Sequence, residues 1–233
     1  KMTAATLPPR AATRALIAAQ AEQITPVIAL NKCDLGAAFD AAWQRLAPYR
    51  AMGYSVLPLS LKQAQAQSLA QGQSHLETTM SPLAAQGHAQ LLQVLRGRTS
   101  LVLGPSGSGK STLINALVPG AQVVTGEISQ ALNSGKHTTT TTTWHWVDAE
   151  RKTGLIDSPG FQEFGVHHID AMQLAAYMPD FKRHVTHCKF YNCTHLHEPA
   201  CGVQDAVEAG AISPSRYKLY GMLFAELTQP VNY

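Results

Sequence analysis

Thr99-Ser100-Leu101-Val102-Leu103-Gly104-Pro105-Ser106-Gly107-Ser108-Gly109-Lys110-Ser111-Thr112 is the stretch that decides how this chain is read. Its first five residues form a short β-prone apolar run. The next eight fit the pattern G-x-x-x-x-G-K-[ST], and from Lys110 to about Leu117 the residues have helical character. Strand, glycine-rich loop and helix in that order form the setting in which this pattern holds phosphate. Gly104, Gly107 and Gly109 let successive backbone N–H groups curl around an anion with no Cβ in the way, and the helix N-terminus adds partial positive charge. Lys110 is expected to reach the β- and γ-phosphates of a nucleoside triphosphate and the Ser111 hydroxyl to ligate Mg²⁺; Pro105, Ser106, Ser108 and Thr112 complete the cradle. The competing account is a Gly/Ser-rich turn with a stray lysine. It does not explain why all four required positions fall between a strand and a helix.

More than seventy residues earlier stands Asn31-Lys32-Cys33-Asp34, which fits N-K-x-D. Thr25-Pro26-Val27-Ile28-Ala29-Leu30 before it is a continuous apolar run, as in a parallel strand buried on both faces. The motif therefore opens at the C-terminal end of a strand, where open α/β sheets bind ligands. An Asp34 carboxylate can accept the N1–H and the exocyclic amino protons of guanine. Adenine cannot supply that pair, and leaving the carboxylate unmatched costs affinity. Lys32 is expected to lay its stem over the base. A second strand, Tyr54 to Leu59, ends at Ser60-Leu61-Lys62, which resembles the S-A-K loop whose backbone N–H contacts the guanine carbonyl. Leu61 replaces the usual Ala there. In an ordinary GTPase the phosphate loop comes first, so the reversed order is either coincidence or circular permutation.

Downstream, Trp144 to Asp148 and Gly154-Leu155-Ile156-Asp157 read as a hairpin, closed by Asp157-Ser158-Pro159-Gly160. An Asp here holds Mg²⁺ through water, and the Gly160 N–H senses the γ-phosphate; alone, D-x-P-G is also a common turn. Between the phosphate loop and this strand lies a threonine run. A GTPase needs one threonine in that window to ligate Mg²⁺, and Thr139 is taken for it, although the choice within 138–143 stays open. A plain β-prone surface strand is the other reading of the run.

Cys188-x₄-Cys193-x-His195-x₅-Cys201 places four soft or borderline ligands within fourteen residues. Such a set suits one tetrahedral, structural Zn²⁺ better than buried thiols or a redox pair. His187 and His197 compete for the fourth position. Lys182, Arg183, His184 and Lys189 form a small basic patch that is either solvated surface or a phosphate contact.

The rest of the chain bounds the answer. Its 233 residues suffice for one sizeable core and a small appendage, and 45% hydrophobic with 14% charged residues reads as globular rather than disordered. A net charge of +3 is compatible with nucleic-acid contact and only weakly points to it. No apolar run approaches the roughly 20 residues of a membrane span. Helices are expected at about 11–23, 37–51, 88–96, 110–117, 168–178 and 203–228. Residues 62–87, rich in Gln, Ala and Ser, read as a long loop or surface helix with no visible chemistry.

Base reader, S-x-K loop, phosphate loop, threonine loop, D-x-P-G and Cys₃His, in that order, resemble the circularly permuted small ribosomal subunit biogenesis GTPases of the RsgA/YjeQ type over essentially the whole chain. The resemblance implies an α/β fold: a circularly permuted P-loop GTPase domain, mainly parallel sheet with helices on both faces, over 1–179, then a small, mostly helical zinc domain over 180–233. It implies Mg²⁺-dependent GTP hydrolysis, stimulated by the small (30S) subunit, in late assembly of that subunit. The implied partners are GTP and GDP and the small subunit with its rRNA, for a cytoplasmic monomer without a membrane. It also implies an N-terminal OB-fold that grips rRNA; this sequence holds no residues for it, and further sequence ahead of Lys1 is expected. The family has an apolar residue where other GTPases have a water-positioning Gln, and Phe161 stands there. A histidine slightly downstream is implied in catalysis, His168 by position and His167 as runner-up. A non-catalytic zinc- and RNA-binding module with a structural nucleotide site is the alternative from another class. An ATP-using enzyme is a third, which Asp34 argues against.

Overall fold

The computed structural model describes residues 9–64, 80–105, 107–123, 142–158 and 166–229. Contacts group these into two units. One holds the described residues from Val27 to Ser158, the other the N-terminal helix with its following turn and everything from Val166 onward. This packing boundary lies apart from the functional boundary expected near residue 180.

The first unit begins with β1 (Val27–Leu30). A 3₁₀ turn over Cys33–Leu35 leads into α2 (Ala37–Arg45), α1 being the N-terminal helix of the other unit, and then α3 (Ala47–Ala51). One helix was expected over 37–51. The break falls at Leu46, directly before the Ala47-Pro48 step, where the proline at the start of α3 has no N–H to continue the helical ladder. Strand β2 (Ser55–Pro58) pairs in parallel with β1 in the register Val27 to Ser55 through Leu30 to Pro58. Helix α4 (Pro82–Leu95) starts six residues before the expected position. Its start signal is local: Ser81 Oγ accepts from the Ala84 N–H, and Pro82 sits at the first helical position, where its missing N–H costs nothing. Within the expected 62–87 loop or surface helix, residues 62–64 and 82–87 are helical, and 65–79 lie outside the described residues.

A second sheet carries β3 (Thr99–Val102), β4 (Thr143–Trp146) and β5 (Gly154–Asp157) in the order β3-β5-β4. Strands β3 and β5 run parallel, and β4 returns antiparallel to β5 as the expected hairpin. Period-two alternation sorts the faces. Leu155 and Asp157 are buried, and Leu155 packs in a cluster with Leu57, Leu59, Leu61, Leu91 and Leu95, against Val102, Leu113 and Leu117. Helix α5 (Lys110–Leu117) follows the glycine-rich loop directly.

In the second unit, α1 (Pro9–Ala21) packs on a 3₁₀ helix, Ala171–Tyr177, where an α-helix over 168–178 was expected. Asp170 caps that segment by accepting from the Met172 N–H. Helices α6 (Pro179–Val185), α7 (Gly202–Glu208) and α8 (Pro214–Thr228) complete the unit. In α8 the buried residues are Arg216, Leu219, Tyr220, Leu223 and Phe224, an i, i+3, i+4, i+7, i+8 stripe that turns one face into a core with Phe181, Leu174 and Ile17. Arg216 is tolerated there because its guanidinium meets both Asp180 oxygens at 2.7 and 2.8 Å and also donates to Thr13 Oγ1 at 3.1 Å.

Candidate nucleotide and metal sites

Strand ends and turns build the first site. β1 delivers Asn31, and the chain then turns through Lys32 in the left-handed region (φ 69°). Backbone pairing continues past both strands, with the Leu59 N–H donating to the Leu30 carbonyl and the Cys33 N–H to the Leu59 carbonyl. These bonds bring Ser60 beside Asp34, and the buried Ser60 hydroxyl donates to Asp34 Oδ1 at 2.7 Å. Asn31 Oδ1 accepts from the Lys32 N–H at 2.8 Å and the Leu61 N–H at 3.1 Å. Its amide nitrogen donates to the Ser108 carbonyl, 77 residues away, at 3.1 Å. One asparagine thus ties the N-K-x-D turn, the Ser60 loop and the glycine-rich loop into one body. The approach is so close that a Cβ on Gly109, whose φ is 109°, would lie 2.4 Å from Asn31 Nδ2.

Lys110 Nζ donates to the carbonyls of Gly104 (2.7 Å) and Pro105 (3.3 Å), so the side chain curls back over its own loop. Burial pushes the Lys110 ammonium below its ordinary value, while the nearby Asp157 charge works the other way. Burial likewise raises the Asp157 carboxyl, opposed by Lys110 and then His145. Asp157 is 2% exposed, and its Oδ1 finds no hydrogen-bond partner among the described residues. A buried carboxylate oxygen without a donor is costly, and the chemistry that removes the cost is a cation or its bound water. Next to it, Ser158 Oγ donates to the Val102 carbonyl at 3.0 Å and pins the end of β5 to β3.

Of the remaining expected residues, Ser106, Thr139 and Gly160 lie outside the described residues. Ser111 and Thr112 sit in the first turn of α5, following Lys110. His167 and His168 are both exposed and belong to the second unit. His167 Nε2 lies 4.0 Å from Glu226 Oε1.

The second site is the cysteine cluster. Cys188 Sγ and Cys201 Sγ are each 3.5 Å from His195 Nδ1 and 3.8 Å from one another. With metal–sulfur bonds of about 2.3 Å and a metal–nitrogen bond of about 2.1 Å, a tetrahedron has S···S edges near 3.8 Å and S···N edges near 3.6 Å. All four ligand atoms, Cys193 Sγ included, fall within 4.8 Å of one another, so this Cys₃His group could hold a metal ion. His187 and His197, the competitors for the fourth position, are not part of the group. Burial holds the His195 imidazole below its ordinary value, against the pull of Glu198, so the ring is neutral and free to ligate. Burial also pushes the Cys193 thiol up to about 12; a metal entering the group displaces those protons.

Sequence reasoning missed the supports of this loop. Glu198 accepts from the Thr194 N–H (2.8 Å) and hydroxyl (2.7 Å) and from the His197 N–H (3.2 Å). Burial opposes its charge, but these bonds prevail and hold the carboxyl at about 2. Tyr217 and Tyr220 on α8 donate to the His195 and Thr194 carbonyls at 2.7 and 2.8 Å. The signal available was the spacing of the two tyrosines, three apart on one helix face, with no indication of what they would meet.

Comparisons with known proteins bear on the fold and the family. The RsgA GTPase family model matches residues 71–167. A Variovorax paradoxus protein named small ribosomal subunit biogenesis GTPase RsgA is 61% identical over 220 residues, covering 93% of this chain and 63% of its own length. Its Burkholderia pseudomallei namesake is 46% identical over 219 residues, covering 94% and 63%. The chain therefore spans somewhat under two thirds of the length of these relatives. Among solved structures, YloQ, a circularly permuted GTPase, superposes with a TM-score of 0.67 at 25% identity, over 98% of this chain and 66% of the other. YjeQ from Thermotoga maritima gives 0.66 at 27%, over 96% and 67%.

Proposed function

We infer that this chain, which belongs to the RsgA family of circularly permuted GTPases, binds GTP with Mg²⁺ and hydrolyses it in small ribosomal subunit assembly. The observation that carries the reading is the Asn31 brace. A base-reading turn and a phosphate loop far apart in sequence are held within hydrogen-bond distance of one another.

Roles follow for each residue. Asp34, steadied by Ser60, takes the two guanine donors, Lys32 lies over the ring, and the Leu61 N–H faces the guanine carbonyl. The backbone of residues 104–109 cradles the phosphates, and Lys110 leaves its loop carbonyls for the β- and γ-oxygens. Ser111 and a threonine of the 138–143 run, Thr139 in this assignment, would hold Mg²⁺, with Asp157 joined through water and Gly160 sensing the γ-phosphate; the ion would neutralise charge developing on the phosphate oxygens. Asp157 Oδ1, without a partner among the described residues, supports that placement. With Phe161 where other GTPases position water, hydrolysis by the chain alone is slow. His168, or His167, orients the water only when the subunit is bound. Zn²⁺ is the metal of the Cys₃His group, since three thiolates and an imidazole with no open position suit a structural ion. Functionally, residues 1–179 serve the nucleotide and 180–233 the metal module. The chain works as a monomer in the cytoplasm with rRNA as its contact; none of the described helices is long and apolar enough to cross a membrane.

The deciding experiment is the GTPase rate with and without purified small subunits. Stimulation of tenfold or more is expected, on the order of what a supplied catalytic group can give. Lys110→Ala should abolish it, and turnover that survives this change would show that the phosphate loop is wrongly assigned.

A further inference from the structure

The residues proposed to read the base and those proposed to hold phosphate stand on different sheets. Asn31 and Asp34 follow β1, and Ser60 and Leu61 follow β2, the two strands of one sheet. The glycine-rich loop follows β3 and Asp157 ends β5, both in the other sheet. Ladder bonds fix neighbours within a sheet, so the spacing of the two halves falls to side chains that cross between them. One is the Asn31 amide on the Ser108 carbonyl. Another is Leu61.

Leu61 is 4% exposed and shares a cluster with Leu91 and Leu95 of α4 and Leu155 of β5, and Leu113 of α5 packs against the same cluster. Leu113 stands three residues after Lys110, and Leu155 two before Asp157. The Leu61 side chain also reaches the phosphate loop itself, since a Cβ on Gly109 would lie 3.3 Å from Leu61 Cδ1. Its main chain belongs to the other half, with the Leu61 N–H donating to Asn31 Oδ1 at 3.1 Å. One residue thus has its backbone on the base-reading turn and its side chain against the phosphate-binding half. A close-packed apolar contact of this kind transmits position because it yields little to compression. An alanine at 61 would keep the backbone bond and lack the carbons that meet Gly109.

We propose that Leu61 is a positioning residue for the nucleotide: its side chain sets the separation of the guanine-reading turn and the phosphate loop, so that base and diphosphate are gripped together. The proposal deepens the GTPase reading and rests on it. The test is competition against a fluorescent GDP analogue with Mg²⁺, using GDP, guanosine and pyrophosphate on the unaltered chain and on Leu61→Ala. GDP affinity should fall about tenfold, because a ligand spanning two half-sites gains from their fixed spacing. Guanosine and pyrophosphate each fill one half and should change less than about threefold. Leu61→Met, which restores length to the side chain, should recover most of the loss. Should Leu61→Ala fail to fold, Leu61→Val gives the same pattern with a smaller loss. Leu95→Ala removes a leucine of the same cluster at the other end of α4, near the Gly97 N–H bond to Thr153 Oγ1. It should lower the melting temperature comparably while GDP affinity is kept. Unchanged GDP affinity in Leu61→Ala, equal weakening of all three competitors, or the same loss in Leu95→Ala overturns the proposal and makes Leu61 an ordinary core leucine. Any of these in a chain that still prefers GDP to ADP counts against Leu61 alone. An unaltered chain that binds ADP as tightly as GDP overturns the guanine reading on which the proposal rests.

Discussion

Asp34, proposed to read guanine, is positioned by a residue from another loop. Its carboxylate is exposed, yet the buried Ser60 hydroxyl fixes one of its oxygens from a loop 26 residues away. Asp34→Ala removes the only anionic partner proposed for the guanine donors. The expected result is a fall of about ten- to hundredfold in GDP affinity with ADP affinity little changed. Competition titration checks this, and a surviving preference for GDP would mean that another group reads the base. The identity and spacing of Asn31, Lys32, Asp34, Lys110 and Ser111 were legible in the sequence because the phosphate and guanine roles proposed for them call for those side chains at those intervals. The Asn31 bond to Ser108 was not legible, since a backbone carbonyl carries no residue signature.

Individual elements show where local rules hold and where packing overrides them. Ser81-Pro82 and Ser213-Pro214 both start helices as capping rules require, although the first lay within a stretch read as loop because its composition is polar and bland. Gly87 in α4 is set by tertiary contact: a Cβ there would come within 1.7 Å of the Pro58 carbonyl oxygen of β2. Gly87→Ala must push the helix off the sheet, so a destabilisation of about 1–3 kcal/mol is expected despite alanine's better helix propensity. Denaturant unfolding measures it, and an unchanged midpoint would refute the close approach. Helix α1 is held to α8 by charge, with Arg10 Nη2 2.6 Å from Glu226 Oε2 and Arg14 on the same oxygen. Burial disfavours the Glu226 carboxylate, but the Arg10 hydrogen bond and the Arg14 and Arg10 charges outweigh it and hold it below its ordinary 4.5. That contribution is therefore complete above about 4.5 and is lost as the pH falls through the lower folded value. Glu226→Gln should cost about 1 kcal/mol at neutral pH, modest because Arg10 is half exposed, and nothing once the carboxyl is protonated. Thermal melts at neutral and acid pH should show the two chains converging.

For the molecule as a whole, a metal in the Cys₃His group is expected to decide whether the second unit keeps its form. Cys193 and Cys201 are buried within the same core as Phe181, Tyr220 and Val203, and the buried His195 ring lies 6.1 Å from that of Tyr220, so the candidate ligands are part of the packing rather than an attachment to it. Chelation should lower the melting temperature of this unit by ten degrees or more, on the order expected for losing several kcal/mol from a small domain, with Cys201→Ser doing the same. Near-ultraviolet circular dichroism, which reports Tyr217 and Tyr220, follows the change; a melt indifferent to chelator would refute a structural metal. Three short motifs were legible along the chain: the run proposed as a phosphate loop, the N-K-x-D turn proposed to read guanine, which precedes it, and a Cys₃His set that could hold a metal ion. The sequence by itself also determined most elements, because helical and strand periodicities are local. The fold alone settled that Asn31 joins the loops, that Asp157 is buried with an oxygen unpaired among the described residues, that α1 packs with the C-terminal helices, and that two tyrosines of α8 hold the metal loop. Those outcomes depend on pairs of residues tens to hundreds of positions apart, whose meeting is set by the shared core and leaves no mark in either segment alone.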